Sequence, residues 1–398
     1  MRLRAAVGRA AGRVFPQLHQ YAFDRDRNRA LPHTKVRLKQ TQVPAFRQRP
    51  FHLVVAALEG PGCDSWGPAH GNYYYEIYQS ARELFGGENV SVLDIAPDGS
   101  PDWGLRLAEL LRDSEATHLI AHMERDPGLE VRWTWDEVWA DIAQWWDGTF
   151  VGVMWDSGFD LIRMKGRRLA RMSPNLLGLD ICVPIDGALV RGRPEVGPVP
   201  LLESRETQAL LADRLQGVQK TSDLSFIGAL YPYRQELLDS LAANGLRVTV
   251  NPHKQSYGDT GSAALPSWLD YMAALASSEM TLNFSMASSG AHKQLKWRVI
   301  EASLAGTLLV TDDMNRTREF FVPSEEFATF RDARDLARTV EWWLARPDEL
   351  RATQERGQRR AQYLATFGFW SLVGRGLERR GLPRIPDISA GSQRKAQT

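Results

Sequence analysis

Cysteine is scarce in this sequence: only Cys63 and Cys182 occur among 398 residues. Two cysteines cannot form the disulfide framework that supports a small secreted domain, so a reducing compartment is expected. The chain also lacks any apolar run near the roughly 18–20 residues that a membrane-spanning helix needs. Its first residues lack the apolar centre of a secretory signal. These absences predict a soluble, cytoplasmic protein, and the length is sufficient for two domains.

The formal net charge is only +1, but the charge is unevenly distributed. Residues 1–50 contain twelve Lys or Arg and two Asp, a net charge of +10, and +1 less +10 leaves −9 for the rest of the chain. We interpret this basic arm as an extension outside the folded cores. Two roles stay open for it: a short amphipathic helix in weak, peripheral contact with the inner face of a membrane, or a solvated extension. A nucleic-acid partner is not expected.

The region from residue 51 to 203 alternates apolar runs with helical patterns. Strands are predicted at residues 53–58, 90–95, 117–122, 150–155 and 176–183. Strands that alternate with helices in this way predict a parallel, doubly wound α/β sheet. Ligands of such sheets bind at the carboxyl ends of the strands, which directs attention to residues 59–64, 122–124 and Asp156.

Residues 204–222 are polar and charged, and we predict that they connect two domains. A second alternation of strands and helices occupies residues 223–366, which predicts a second α/β domain. A last helix is predicted within residues 367–385. The remaining residues, 386–398, are polar and are predicted to form a frayed tail.

The most informative stretch of the second domain runs from Leu295 to Asp313. It has the pattern of a helix that ends at Gly306, followed by a short buried strand. Lys296, Arg298 and Glu301 cluster on the first turns of that helix. Cations near a helix start oppose the helix dipole, so local helix stability does not explain them. Two cations and a carboxylate suit a ligand that carries both phosphate and sugar hydroxyls; the alternative is a solvated face with an ion pair.

A second candidate site lies at the end of the strand predicted at residues 224–227. Gly228 would permit the close approach of the backbone to a ligand. Arg234 follows in the first turns of the next helix, where a phosphate could bind. A single glycine after a strand is weak evidence, and Arg234 taken alone is equally well explained as a surface cation.

Several ordered motifs of residues 223–360 resemble a known family. The matching pieces are DLSFIG at 223–228, YPYR at 231–234, LNFS at 282–285 and LKWRVIEASLAG at 295–306. In this order they resemble the C-terminal half of group 1-type glycosyltransferases, especially the spore-maturation-protein-B branch, which is termed CgeB-like. The resemblance covers about a third of the chain well and the N-terminal half only in outline.

The resemblance implies the GT-B fold, in which two Rossmann-like doubly wound domains face a central cleft and the final helix returns to the first domain. It implies a hexosyltransferase-like enzyme that uses a nucleotide-diphosphate sugar as co-substrate, with no cofactor and no metal. Glu301 would accept hydrogen bonds from ribose hydroxyls, and Lys296 and Arg298 would neutralise the diphosphate. The other residues placed at the donor by the resemblance are Gly228, Tyr231, Arg234, Asn283 and Ser285.

The reaction predicted from this resemblance is transfer of a sugar to a hydroxyl of a glycan, protein or small-molecule acceptor. Many retaining members have a glutamate eight residues before the ribose-binding one, and here that position is Lys293, which favours an inverting outcome. An inverting transfer needs a general base beside the acceptor. His122 and Asp156 are the leading candidates, because both end predicted strands of the first domain; Asp64, His70 and Glu124 come next.

Two alternatives accompany this prediction. The first is a non-catalytic protein of the same fold that binds a nucleotide sugar or a carbohydrate, since no base stands out from the sequence. The second is a different nucleotide-dependent α/β enzyme, although the absence of a Gly-x-x-x-x-Gly-Lys-Ser/Thr motif argues against an ATPase. A zinc site at His118 and His122 is rejected, because residues four apart on a strand are too far from each other to bind one metal. The pair Asp312–Asp313 is interpreted as a loop at a strand end and not as a metal site.

Overall fold

The computed structural model describes residues 49–58, 73–95, 103–122, 135–154, 173, 175–180, 202–243, 245–251, 267–286, 293, 295–312 and 316–388. These residues form two α/β units, each built on a parallel sheet of five strands. The α/β class predicted from the alternation of strands and helices is thereby confirmed.

The first unit is a parallel sheet with strand order β2-β1-β3-β4-β5. Its elements are β1 (Leu53–Leu58), α1 (Tyr73–Phe85), β2 (Val90–Ile95), α2 (Trp103–Asp113), β3 (His118–His122), α3 (Trp135–Ile142), β4 (Thr149–Met154) and β5 (Leu176–Asp180). In register, Val54 of β1 lies opposite Ser91 on one side and Leu119 on the other.

Strand β1 shows why this sheet is covered on both faces. Val55 packs in a cluster with residues of α1, whereas Val54 packs in another with residues of α2 and α3. Successive side chains of a strand point to opposite faces. A run that is apolar at every position, such as β1, is therefore stable only where helices cover both faces, as in a doubly wound sheet.

The second unit has strand order β10-β9-β8-β6-β7. Its elements are α4 (Arg205–Leu215), β6 (Ser222–Ile227), α5 (Pro232–Ala243), β7 (Thr249–Asn251), α6 (Trp268–Ala276), β8 (Ser278–Asn283), α7 (Arg298–Leu304), β9 (Leu308–Thr311), β10 (Ala328–Thr329), α8 (Ala333–Leu344), α9 (Pro347–Tyr363) and α10 (Phe369–Arg379). Strands β6 and β8 are adjacent, so their carboxyl ends lie side by side at one edge of the sheet.

The polar stretch predicted as a connection contains a helix, α4. Ser204 caps it, because its side chain accepts a hydrogen bond from the backbone N–H of Thr207 at 3.2 Å. Such a cap satisfies one of the free N–H groups at a helix start. Only Thr207 and Leu211 of α4 are buried. Because so few of its residues are buried, the sequence of this helix is mostly polar and resembles that of a connecting segment.

The chain after α9 contacts the first unit again. Residues 364–368 form a π-helical turn between α9 and α10, and the backbone N–H of Glu203 donates to the carbonyl of Ala365 at 3.1 Å. Farther on, Trp370 of α10 donates from Nε1 to Oγ of Ser80 on α1 at 3.0 Å. A π-helical turn often marks a functional site or a hinge, and here it lies where α10 turns toward the first sheet.

Arg49 is the first residue that the structure describes, and it is buried against the first unit. Its guanidinium donates to the carbonyl of Ala116 at 3.2 Å and pairs with Asp147. Residues 1–48 of the basic arm lie outside the described residues. Among the described helices, none combines the length and apolar character that crossing a bilayer requires.

Candidate functional site

Glu301 lies on α7 and is 6% exposed. Both of its carboxylate oxygens accept hydrogen bonds from α6: Trp268 Nε1 donates to Oε1 at 3.2 Å, and the Tyr271 hydroxyl donates to Oε2 at 2.9 Å. A carboxylate has about four lone-pair sites, so each oxygen can accept one further hydrogen bond. The residue is therefore held in place and still able to accept from a ligand.

The surroundings of Glu301 act on its protonation in two directions. The pKa of the Glu301 carboxyl is raised overall, because burial raises it by more than the hydrogen bond from Tyr271, the charge of Arg298 and the hydrogen bond from Trp268 lower it. The donors and the cation favour the ionised form. An ionised carboxylate only accepts hydrogen bonds, which is the chemistry that recognition of hydroxyl groups needs.

Arg298, the first residue of α7, reaches the carboxyl end of β6. Its Nη2 donates to the carbonyl of Ile227, and its guanidinium carbon lies 5.3 Å from the centroid of the Phe226 ring. Gly228 follows with φ +150°, and a Cβ built there would lie 2.8 Å from Nη2 of Arg298. A side chain at position 228 would be strained and would displace the guanidinium, so this approach of Arg298 depends on glycine.

Arg234, on the first turn of α5, is a buried cation that is 7% exposed. It donates to the carbonyls of Ala229 at 2.9 Å and Met286 at 3.3 Å, and to the Tyr233 hydroxyl at 2.8 Å. Its guanidinium carbon lies 4.6 Å from the centroid of the Tyr231 ring. Among the described residues, no carboxylate pairs with it.

The two arginines flank one aromatic ring. The Arg234 guanidinium carbon lies 5.7 Å from the Phe226 centroid, on which Arg298 also packs. Burial lowers the pKa of Arg234, and the positive charge of Arg298 lowers it further. Like charges brought together at a buried position are unfavourable without an anion. The carboxyl end of β6 is therefore electropositive.

Asn283 and Ser285 connect β8 to β9 in the structure. Asn283 Nδ2 donates to Thr311 Oγ1 at 3.0 Å, and the N–H of Ser285 donates to Asp312 Oδ1 at 3.1 Å. The hydroxyl of Ser285 donates to the same carboxylate. Asp312 is thus the partner of Ser285, as expected for a residue in a strand-end loop. No partner is described for Asn283 Oδ1.

The remaining predicted site residues fall into two groups. Tyr231 packs on Arg234, Lys296 is half-buried just before α7, and Lys293 is exposed. His122 is the last residue of β3, and its side chain lies outside what the structure describes. Residues 64, 70, 124 and 156 lie outside the described residues altogether. The structure therefore brings together Gly228, Tyr231, Arg234, Arg298 and Glu301.

Two features of this region are absent from the sequence-based prediction. The first is the pair of donors to Glu301, Trp268 and Tyr271; no motif marks them, although their spacing of three residues places them on one face of a helix. The second is Glu203, which is 5% exposed. Burial raises the pKa of Glu203 well above its ordinary value, and the charges of Glu76 and Glu301 raise it further.

The first unit approaches this region through α1. The ring of Tyr73 stacks on that of Trp297, with centroids 5.7 Å apart and an interplanar angle of 16°. Trp297 immediately precedes Arg298. Aromatic stacking of this kind contributes about 0.5–1.5 kcal/mol beyond the buried area. The electropositive site of the second unit is thus next to a contact between the two units.

This chain is similar to a known protein family over part of the second unit and to solved structures over both units. Residues 234–367 match a family model described as glycosyl transferase-like. An α-glucosyltransferase solved with UDP and a 13-mer DNA is similar, with a TM-score of 0.52 and 11% identity over 81% of this chain and 98% of that one. HepE from Anabaena, solved with UDP, has a TM-score of 0.50 and 11% identity over 83% of this chain and 100% of that one.

The fold is GT-B. The prediction of two α/β domains in this arrangement is thereby confirmed, since these similarities extend over both units. The glycosyl transferase-like segment includes Arg234, Arg298 and Glu301. The family match covers residues 234–367 of the second unit, whereas the similarity to solved structures extends over both units. A search of curated protein sequences found no match.

Proposed function

We propose that this protein is a glycosyltransferase that takes a nucleoside-diphosphate sugar as donor and transfers its sugar to an acceptor hydroxyl. The observation that carries the proposal is the juxtaposition, at the carboxyl end of β6, of two arginines and a carboxylate. Arg234 is buried with no carboxylate partner among the described residues, Arg298 flanks the same ring, and Glu301 acts electrostatically with Arg298.

In this proposal Arg234 and Arg298 bind the diphosphate. The negative charge on the diphosphate grows as the sugar leaves, and cations fixed in advance stabilise that charge more in the transition state than in the ground state. Glu301 accepts hydrogen bonds from the ribose. Lys296, half-buried just before α7, is proposed as a third cation for the diphosphate. The HepE structure binds UDP, which supports a nucleotide diphosphate as the ligand class.

The finer parts of the proposal rest on the sequence. We propose the CgeB-like branch on its ordered motifs and an inverting outcome on Lys293 in place of a second glutamate. The proposed base is His122 or Asp156, from the first unit, and the proposed acceptor is a glycan, protein or small molecule. We further propose that the reaction takes place in the cytoplasm and needs no metal, since arginines supply the charge that a metal would.

The test of the donor site is calorimetry with UDP, GDP and ADP and with their common sugar conjugates. Glu301→Ala should lower the affinity for the nucleotide that the wild type binds by about 10- to 150-fold, because a hydrogen bond to a charged group contributes about 1.5–3 kcal/mol. Arg234→Met should weaken it similarly. Arg338→Met is the matched control, since Arg338 is an exposed arginine on α8.

Turnover then separates the enzyme from a non-catalytic binding protein. Release of nucleoside diphosphate from a donor, with a panel of acceptors, supports transfer. Binding that depends on Glu301 and Arg234 but is never followed by release would favour the non-catalytic alternative. If Glu301→Ala and Arg234→Met bind every nucleotide as the wild type does, the site is wrongly placed.

A further inference from the structure

Helix α6 holds the carboxylate of Glu301 at two points. Trp268 and Tyr271 are three residues apart on this helix and donate to different oxygens of the same carboxylate, at 3.2 Å and 2.9 Å. Two donors on two oxygens fix the plane of the carboxylate as well as its position. A glutamate held at one point, or at none, would rotate about its last torsion, which is broad.

The helix that carries these donors is itself anchored at both ends. At its start, Ser267 Oγ accepts from the N–H of Asp270 at 3.1 Å, and Asp270 pairs with Arg214 of α4 at 3.0 Å. At its end, Thr307 Oγ1 donates to the carbonyl of Leu275 at 2.7 Å. Met272 and Leu275 are fully buried between these ends. The two donors therefore sit on a rigid support.

Tyr271 also connects Glu301 with Arg298. Burial raises the pKa of the Tyr271 hydroxyl; the charge of Glu301 raises it further, and the charge and hydrogen bond of Arg298 act in the opposite direction. The phenol thus interacts with both the carboxylate of Glu301 and the guanidinium of Arg298. These are the groups to which the proposed function assigns the ribose and the diphosphate.

The fixed plane has a consequence for recognition. With one lone pair of each oxygen used by α6, one remains on each for a ligand. A ribose presents two neighbouring hydroxyls, each of which donates one hydrogen bond, so the two remaining sites match a ribose. A 2′-deoxyribose offers one donor fewer, so one carboxylate oxygen keeps only its hydrogen bond from α6, and the loss of a hydrogen bond to a charged group weakens binding.

We propose that Trp268 and Tyr271 are positioning residues, which hold the Glu301 carboxylate for two ribose hydroxyls and thereby set a preference for ribonucleotides over 2′-deoxyribonucleotides. This inference rests on the proposed function, because it takes the ligand of Glu301 to be the ribose of a nucleoside diphosphate. It assigns to α6 a role in specificity without contact to the reacting atoms.

The experiment measures a ratio of affinities. UDP, GDP and ADP are each titrated by calorimetry beside their 2′-deoxy forms, and the ratio is taken for the nucleotide that binds best. We expect the wild type to favour the ribonucleotide by about 10- to 100-fold. Tyr271→Phe and Trp268→Phe, measured separately, should each lower this ratio about three- to tenfold. Tyr363→Phe is the control, since Tyr363 is 52% exposed on α9.

The ratio distinguishes positioning from general damage. A variant that merely loosens the fold would lower the affinity for the ribonucleotide and for its 2′-deoxy form equally and leave the ratio unchanged. An unchanged ratio in both Tyr271→Phe and Trp268→Phe overturns the inference. If Glu301→Gln abolishes the preference while Tyr271→Phe and Trp268→Phe keep it, the inference fails and the proposed function stands. A wild type that binds none of the nucleotides, or shows no preference, overturns the inference together with the ribose assignment.

Discussion

Replacing Glu203 by glutamine should make the protein more stable, and by more as the pH rises. Glu203 lies in the segment between the two units and is 5% exposed. Its pKa is raised well above the ordinary value, mostly by burial and further by the charges of Glu76 and Glu301. Glutamine keeps the size and hydrogen-bonding capacity of the protonated acid but cannot ionise. Glu203→Gln therefore removes one titration and little else.

The direction follows from proton linkage. In the unfolded chain the pKa of this group lies near its ordinary value of 4.5, whereas the folded protein keeps the proton to higher pH. Between these two values the folded state binds more protons, so the stability of the wild type falls as the pH rises. The fall is at most about 1.4 kcal/mol per pH unit for one group. Over three pH units the difference between Glu203→Gln and wild type grows by up to about 4 kcal/mol.

The measurement is urea unfolding of both proteins at pH 5.5, 6.5, 7.5 and 8.5. The difference in free energy between variant and wild type reports on Glu203 and on its coupling to Glu76 and Glu301, whose pKa values are also raised and which titrate in both proteins. Glu341→Gln, at an exposed position of α8, is the control.

Parallel stability curves for wild type and Glu203→Gln would refute the reasoning. They would mean that Glu203 ionises in the folded protein as readily as in the unfolded chain. A variant that becomes less stable relative to wild type as pH rises would show that the carboxylate has a favourable partner. Either result would remove the basis for treating Glu203 as a buried acid between two other carboxyls.

Two further predictions concern single side chains. His118 is buried, and desolvation lowers its pKa to about 4. Its contribution to stability is therefore complete above its ordinary pKa of 6.5 and is lost as the pH falls toward 4. Urea unfolding of His118→Gln should thus show about 2 kcal/mol less loss of stability between pH 7.5 and pH 5 than wild type. Gly228→Ala should weaken nucleotide diphosphate binding in calorimetry by about tenfold or more, because the added Cβ displaces Arg298; unchanged affinity would show that Arg298 does not need its present position.

Most strands were predictable from the sequence, because a parallel strand buried on both faces is a continuous apolar run. β1 and β2 have the predicted bounds, 53–58 and 90–95. β8 occupies Ser278–Asn283. Its first residue, Ser278, is polar but buried, and its Oγ hydrogen-bonds Ser222 Oγ of β6 at 2.8 Å. A partner 56 residues away does not show in local periodicity.

The candidate site was predictable only in its chemistry. Lys296, Arg298 and Glu301 were identified because cations at a helix start have no local explanation. Gly228 and Arg234 were identified because they follow a predicted strand. The sequence could not show that Arg234 is buried without a carboxylate partner or that it flanks Phe226 beside Arg298. It also could not show that Asn283 and Ser285 join β8 to β9. Their roles at a ligand stay predictions, as do those of His122 and Asp156.

By itself the sequence determined the α/β class, the apolar strands and the residue types of a phosphate- and hydroxyl-binding site, since these follow from composition and period along the chain. Tertiary structure decided which groups meet. Trp268 and Tyr271 reach Glu301 across 33 and 30 residues, and Glu203 lies within electrostatic reach of both Glu76 and Glu301. The physical reason is that hydrogen bonds and charges act over a few ångströms in space, whereas sequence patterns record only neighbours along the chain.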